Sequence, residues 1–126
     1  MRSGVSPAAA TGPLVVAQDT ALDDTLVVQL GGSAVTSDTA VRITLRAKLQ
    51  DSRCAANVHC VWAGSVGVGL RAETLHGTND GNVHSNQEPR ILWAGQHQIS
   101  LLDVTPRPGE ASAPVVATVR VVRLGR

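Results

Sequence analysis

The chain has 126 residues, with 11 Lys+Arg against 10 Asp+Glu and a formal net charge of +1. A chain of this size buries roughly two-thirds of its unfolded surface, so one ordinary domain can own a core without a metal or a disulfide. The near-balanced charge speaks against nucleic acid as a main partner, which would need a surplus of Lys/Arg on one face, and no apolar run reaches the ~20 residues of a membrane-spanning helix.

The opening to Pro13 is rich in Ala, Pro and Gly and reads as a flexible or extended N-terminal segment over 1–13. Its start, Met1-Arg2-Ser3-Gly4, lacks the apolar stretch of a signal peptide. Residues 14–126 read as one domain. Leu14 to Ala17 is a short candidate strand, and Asp23-Asp24 a polar turn. Leu26 to Leu30 follows as a strand, stopped by Gly31-Gly32, with a short strand over Ser33 to Thr36. From Val41 to Leu49 the pattern is strictly alternating. Val41, Ile43, Leu45, Ala47 and Leu49 share one face, and Arg42, Thr44, Arg46 and Lys48 the other. That period of two predicts a half-buried strand.

Ser65 to Leu75 is the next strand, with Val66, Val68, Leu70 and Ala72 inward. Gly67 and Gly69 on its other face signal a bulge or a close backbone approach. His76 to Pro89 is polar, and Asn79-Asp80-Gly81-Asn82 is a turn signal. Arg90 to Trp93 and Gln96 to Val104 form a predicted hairpin around Ala94-Gly95. Val115 to Leu124 is a final strand, Val-rich on both faces, with Arg120 and Arg123 intruding.

Seven or eight short strands and no convincing helix predict an all-β, antiparallel, immunoglobulin-like β-sandwich, with a small β-barrel as the alternative. Valine abundance supports strands. Phe and Tyr are absent and Trp62 and Trp93 are the only aromatics, so the core is aliphatic and stacking platforms for bases or sugars lose support. The inward set should include Val41, Ile43, Leu45, Val66, Val68, Leu70, Ile99, Leu101, Val119 and Val121. Trp-Ala-Gly at 62–64 and 93–95 has dissimilar flanks and reads as coincidence.

The two cysteines, Cys54 and Cys60, bracket a polar stretch. A disulfide there would close a seven-residue ring, worth about 2.4 kcal/mol on a chain-entropy model, and would imply an oxidising compartment. Two reduced thiols are the alternative. The loop carries Arg53, Asn57, His59 and Trp62, which are the candidate recognition residues, since loops on rigid sandwiches carry binding. The plainer reading is a staple between two strands. Arg53 can bond loop carbonyls or a carboxylate, and Gly64 permits a tight turn into the next strand.

Metal and catalytic signatures are missing. His59, His76, His84 and His97 show no ligand spacing. His76 and His84 share a polar stretch, yet no metal is expected there. Asp80, Asn82, His84 and Asn86 alternate like a calcium loop, but Ser85 stands where Gly is needed and Ile91 where Glu is needed. No Gly-x-Ser-x-Gly elbow or phosphate-binding glycine loop occurs. The expectation is a protein with no cofactor and no catalytic residues.

The stretch Asp51-Ser52-Arg53-Cys54, five residues, then Cys60-Val61-Trp62-Ala63-Gly64 resembles a motif of a family of small secreted bacterial proteins and lipoproteins. Ala55 stands where that family usually has Pro. A second stretch, Gly95 through Ile99 and Leu101 to Pro106 and Pro108, is similar too, with His97 near the family's usual Tyr. The resemblance spans roughly Leu26 to the C-terminus. It implies export, with the signal absent from this chain, and a β-rich fold; it implies no reaction. Two functions follow as expectations. The first is a non-catalytic binding or accessory module, secreted or periplasmic, with a protein or cell-surface partner. The alternative is a structural subunit, a homo-oligomer assembling through strand edges or an exchanged N-terminal strand.

Overall fold

The computed structural model describes residues 13–15, 21–55, 58–61, 63–110 and 113–125. The eight strands are β1 (Leu22–Gln29), β2 (Ser33–Val35), β3 (Arg42–Asp51), β4 (Val66–Thr74), β5 (Gly77–His84), β6 (Ile91–Ala94), β7 (His97–Thr105) and β8 (Val116–Arg123). No helix occurs among the described residues. The strands make two antiparallel four-stranded sheets, ordered β1-β8-β7-β6 and β2-β3-β4-β5. This is a sandwich and not a closed barrel. Apart from the β1–β8 pair, strands neighbour their sequence neighbours. The expected antiparallel β-sandwich is the observed architecture, and the barrel alternative is not.

One aliphatic core fills the space between the sheets. Val41, Ile43, Leu45, Val66, Val68, Leu70, Ile99, Leu101, Val119 and Val121 are all buried in it, as the alternation predicts. Trp93 stays out on the surface of β6, half-exposed. Valine, isoleucine, leucine and alanine side chains make up this cluster, consistent with the absence of Phe and Tyr.

Within residues 21–125, three stretches depart from the sequence reading. Asp23-Asp24 is strand, not turn: Asp23 lies on the outer face of β1 and takes a two-pronged ion pair from Arg120 at 2.7 and 2.9 Å. Asp24 accepts from the Ser37 amide and hydroxyl at 2.6 and 3.0 Å. These partners override the weak strand preference of aspartate. Asn79 to Asn82 lies inside β5, and the turn falls at Leu75-His76, between Thr74 and its partner Gly77. Asp80 is held by Arg71 at 2.8 Å and Arg46 at 3.0 Å across the outer face. A side chain on Gly81 would come within 2.6 Å of Leu92 Cδ1, so glycine there lets β6 pack close. The third departure is in β3. One extra residue stands between Leu45 and Ala47 and another between Lys48 and Asp51, relative to β4. Each bulge reverses the face parity. Ala47 and Leu49 thus leave the core, and Ala47 pairs with Gly69. The glycines of β4 announce this irregularity correctly.

Of the candidate strand Leu14 to Ala17, Leu14 and Val15 are not strand, and the Val15 amide donates to Thr39 O at 2.9 Å. Val16, Ala17 and residues 1–12 lie outside the described residues.

Candidate functional site

The chain leaves β3 at Asp51 and returns to β4 at Val66, and the cysteine loop lies between. Cys54 and Cys60 are joined, with Cα atoms 5.9 Å apart, inside the usual span. At the loop base the Ser52 amide donates to Ser65 O at 2.8 Å, and the Ser65 amide donates to Ser52 Oγ at 2.9 Å. Gly64 sits at φ +68°, and a Cβ there would meet Ser52 O at 2.3 Å. Only glycine serves, by conformation and by space. The Asn86 side chain closes the other flank, donating to Gly64 O at 3.2 Å.

Arg53 is the principal brace. Its guanidinium grips Asp51 with two parallel hydrogen bonds of 2.9 and 2.8 Å. It also donates to Val104 O at 2.7 Å, and lies 3.3 Å from Asp103 Oδ1. One side chain therefore ties the end of β3 to the end of β7 across the two sheets. Both Arg53 and Asp51 side chains are 9% exposed. The Arg53 hydrogen bonds outweigh the opposing effect of burial, and with the Arg53 amide and Lys48 they hold the Asp51 carboxyl down at about 2. Arg53 is raised in turn, chiefly by Asp51.

The four candidate recognition residues divide accordingly. Arg53 belongs to the base of the loop, with its donors turned inward. His59 is exposed in the loop. Asn57 and Trp62 lie outside the described residues. The loop surface adds two apolar residues that the sequence reading passed over, Val58 at 56% and Val61 at 96% exposure. Reduction is expected to lower the unfolding free energy by about 2 kcal/mol and to raise the intact mass by about two units. A denaturant curve unmoved by reductant would show that the ring adds nothing to the clamp.

At the opposite end of the sandwich the sheets part around a cleft of about 450 Å³. It lies between the β4–β5 turn, the β6–β7 turn and the end of β8. The sequence reading missed this site, because its residues are far apart in the chain. His97, 2% exposed, sets Nε2 3.1 Å from Asp38 Oδ2. Asp38 also accepts from the Thr36 hydroxyl and, at 3.1 Å, from the Ala40 amide. Burial pushes the Asp38 carboxyl up, but these hydrogen bonds prevail and hold it below its ordinary range. The pair locks the Thr36–Ala40 turn, where Thr39 takes φ +54°, onto the start of β7. Arg123 reaches the same cleft and donates to Gln96 Oε1 at 3.2 Å, with 5% of its surface exposed. The one signal of this site in the sequence is an arginine interrupting an apolar strand.

His76 lines the cleft, whereas His84 stands at the far end of β5. Eight residue steps along an extended strand put them about 26 Å apart, so the polar stretch does not bring them together. The His84 ring lies over Gly67, where a Cβ would meet Nδ1 at 2.4 Å. No cluster of three or more His, Cys, Asp or Glu suited to a metal occurs among the described residues.

Comparison of the chain with protein-family models, with curated proteins and with solved structures finds no match.

Proposed function

We propose that this protein is a non-catalytic binding module that works outside the cytoplasm and recognises a protein or cell-surface partner through its disulfide loop. The observation that carries this reading is Val61, almost fully exposed beside a cysteine whose loop is fastened to both sheets. A loop held this firmly loses little entropy when a partner docks, which favours affinity. The disulfide supports an oxidising compartment. The resemblance of the Asp51–Gly64 motif to an exported bacterial family points the same way. Assembly through strand edges is less well supported. Asn79 Nδ2 donates to Trp93 O at 2.6 Å, covering a carbonyl on β6, the strand at which its sheet ends.

The test is binding of the purified protein to intact cells and envelope fractions of its source organism. The Val58→Ser/Val61→Ser double variant is expected to bind at least roughly tenfold more weakly, a loss of about 1.4 kcal/mol. Its thermal midpoint should stay close to that of the parent, since both side chains face solvent. Equal binding by the two forms would sink the proposal, as would recovery of the native protein from the cytoplasm with both thiols free.

A further inference from the structure

The two outer faces of the sandwich differ in kind. On the β2-β3-β4-β5 sheet the outward side chains include Arg42, Arg46, Arg71, Glu73 and Asp80, joined in ion pairs. Among the described residues, no large hydrophobic side chain stands exposed on the strands of that sheet. On the β1-β8-β7-β6 sheet, Val27, Ile91, Trp93 and Leu102 stand out from three strands at 42–61% exposure. The outward charges Asp23 and Arg120 neutralise one another through their two-pronged pair. Asp103, beside Leu102, is tied to Arg53 at the end of the sandwich. This face therefore offers apolar surface whose charges are already matched, the character of an interaction surface.

The strand register makes the face complementary to itself. Thr25, Arg120, Ser100 and Ile91 lie side by side in one row across β1, β8, β7 and β6. A neighbouring row reads Asp23, Val122, Gln98, Trp93. A two-fold axis along the strands, between β8 and β7, keeps each row and reverses its order in the facing copy. Small side chains then meet large ones: Thr25 faces Ile91, and Ser100 faces Arg120. Like charges do not meet, since Arg120 never faces its own copy and Asp23 faces Trp93. An isologous interface requires this fit of one patch to itself. Sheets pack face to face in this aligned manner about 10 Å apart. Three strands of eight or nine residues and one of four span about 450 Å². Two copies together cover on the order of 900 Å², the size of a weak, reversible contact rather than a permanent one. We propose that this face joins the same face of a second copy of the chain, forming a reversible two-fold dimer.

The experiment is analytical ultracentrifugation of the full chain from about 1 μM to about 1 mM, across which monomer is expected to pass to dimer. The dimer should persist in about 1 M sodium chloride, since screening does not weaken apolar contact. Ile91→Asp, at an exposed position, should fold like the parent and weaken association at least roughly tenfold. Thr25→Lys, also exposed, should weaken it as well. An equimolar mixture of the two variants should regain association, because the two-fold sets position 91 of one copy against position 25 of the other. The Val58→Ser/Val61→Ser variant should dimerise like the parent, which separates this face from the disulfide loop. A chain that stays monomeric throughout would overturn the proposal, and adsorption of that monomer to phosphatidylcholine vesicles would assign the face to lipid. A dimer undiminished by Ile91→Asp, a mixture that stays dissociated, or a dimer lost in the loop variant would overturn it too.

Discussion

Replacing Leu45 by Ala is expected to lower the unfolding free energy by about 2–5 kcal/mol, read from the denaturant midpoint at constant slope. Leu45 is fully buried and pairs with Leu70, another buried leucine, in the centre of the sheet. Truncation loses the transfer of three side-chain carbons and leaves a cavity between two rigid sheets, which cannot collapse to fill it. Leu49→Ala provides the comparison within the same strand. Strict alternation would place both leucines on the core face and equate their costs. The two bulges put Leu49 at a half-buried position, so its truncation should cost about 1 kcal/mol or less. Equal losses at the two positions would mean that β3 runs without its bulges.

That contrast marks what the sequence could and could not disclose. Alternation over 41–45 and 66–72 places the buried face correctly, because burial on one face constrains every second residue. The same rule fails after Leu45, since an inserted residue changes the parity without changing the composition. Glycines at 67 and 69 gave the warning but not the position of the insertion. β5 was hidden by composition. Thr78 to Asn82 are turn-forming types, yet Arg71 and Arg46 hold Asp80 from one side and Leu92 fills the space that Gly81 leaves on the other. Neither set of partners is near in sequence. The disulfide loop was readable because its parts are contiguous between residues 51 and 64. The end cleft draws on positions 38, 97 and 123, and no local pattern links them.

Arg53 joins those two categories, and its removal has the second large effect. Arg53→Met keeps the length of the side chain and deletes the guanidinium. It leaves Asp51, 9% exposed, with Lys48 at 3.2 Å as its remaining cation, and withdraws the donor from Val104 O. The expected loss at neutral pH is about 2–4 kcal/mol, as for breaking one side of a largely buried pair. The pH dependence separates this charge effect from lost packing. Asp51 titrates at about 2 in the folded protein against an ordinary 3.8. A carboxyl depressed on folding stabilises above its unfolded pKa, and that stabilisation is lost as pH falls through the folded value. Stability of the parent should therefore decline between about pH 4.5 and pH 2, with on the order of 1–2 kcal/mol from this group after allowance for screening. In Arg53→Met the Asp51 carboxyl returns towards its ordinary range, so that part of the acid transition shrinks. The gap between the two proteins should narrow as pH falls from 7 to about 2.5. A gap that stays constant across that range would assign Arg53 to packing alone, and the bond between the two sheets at this end would then owe little to the Asp51 carboxylate.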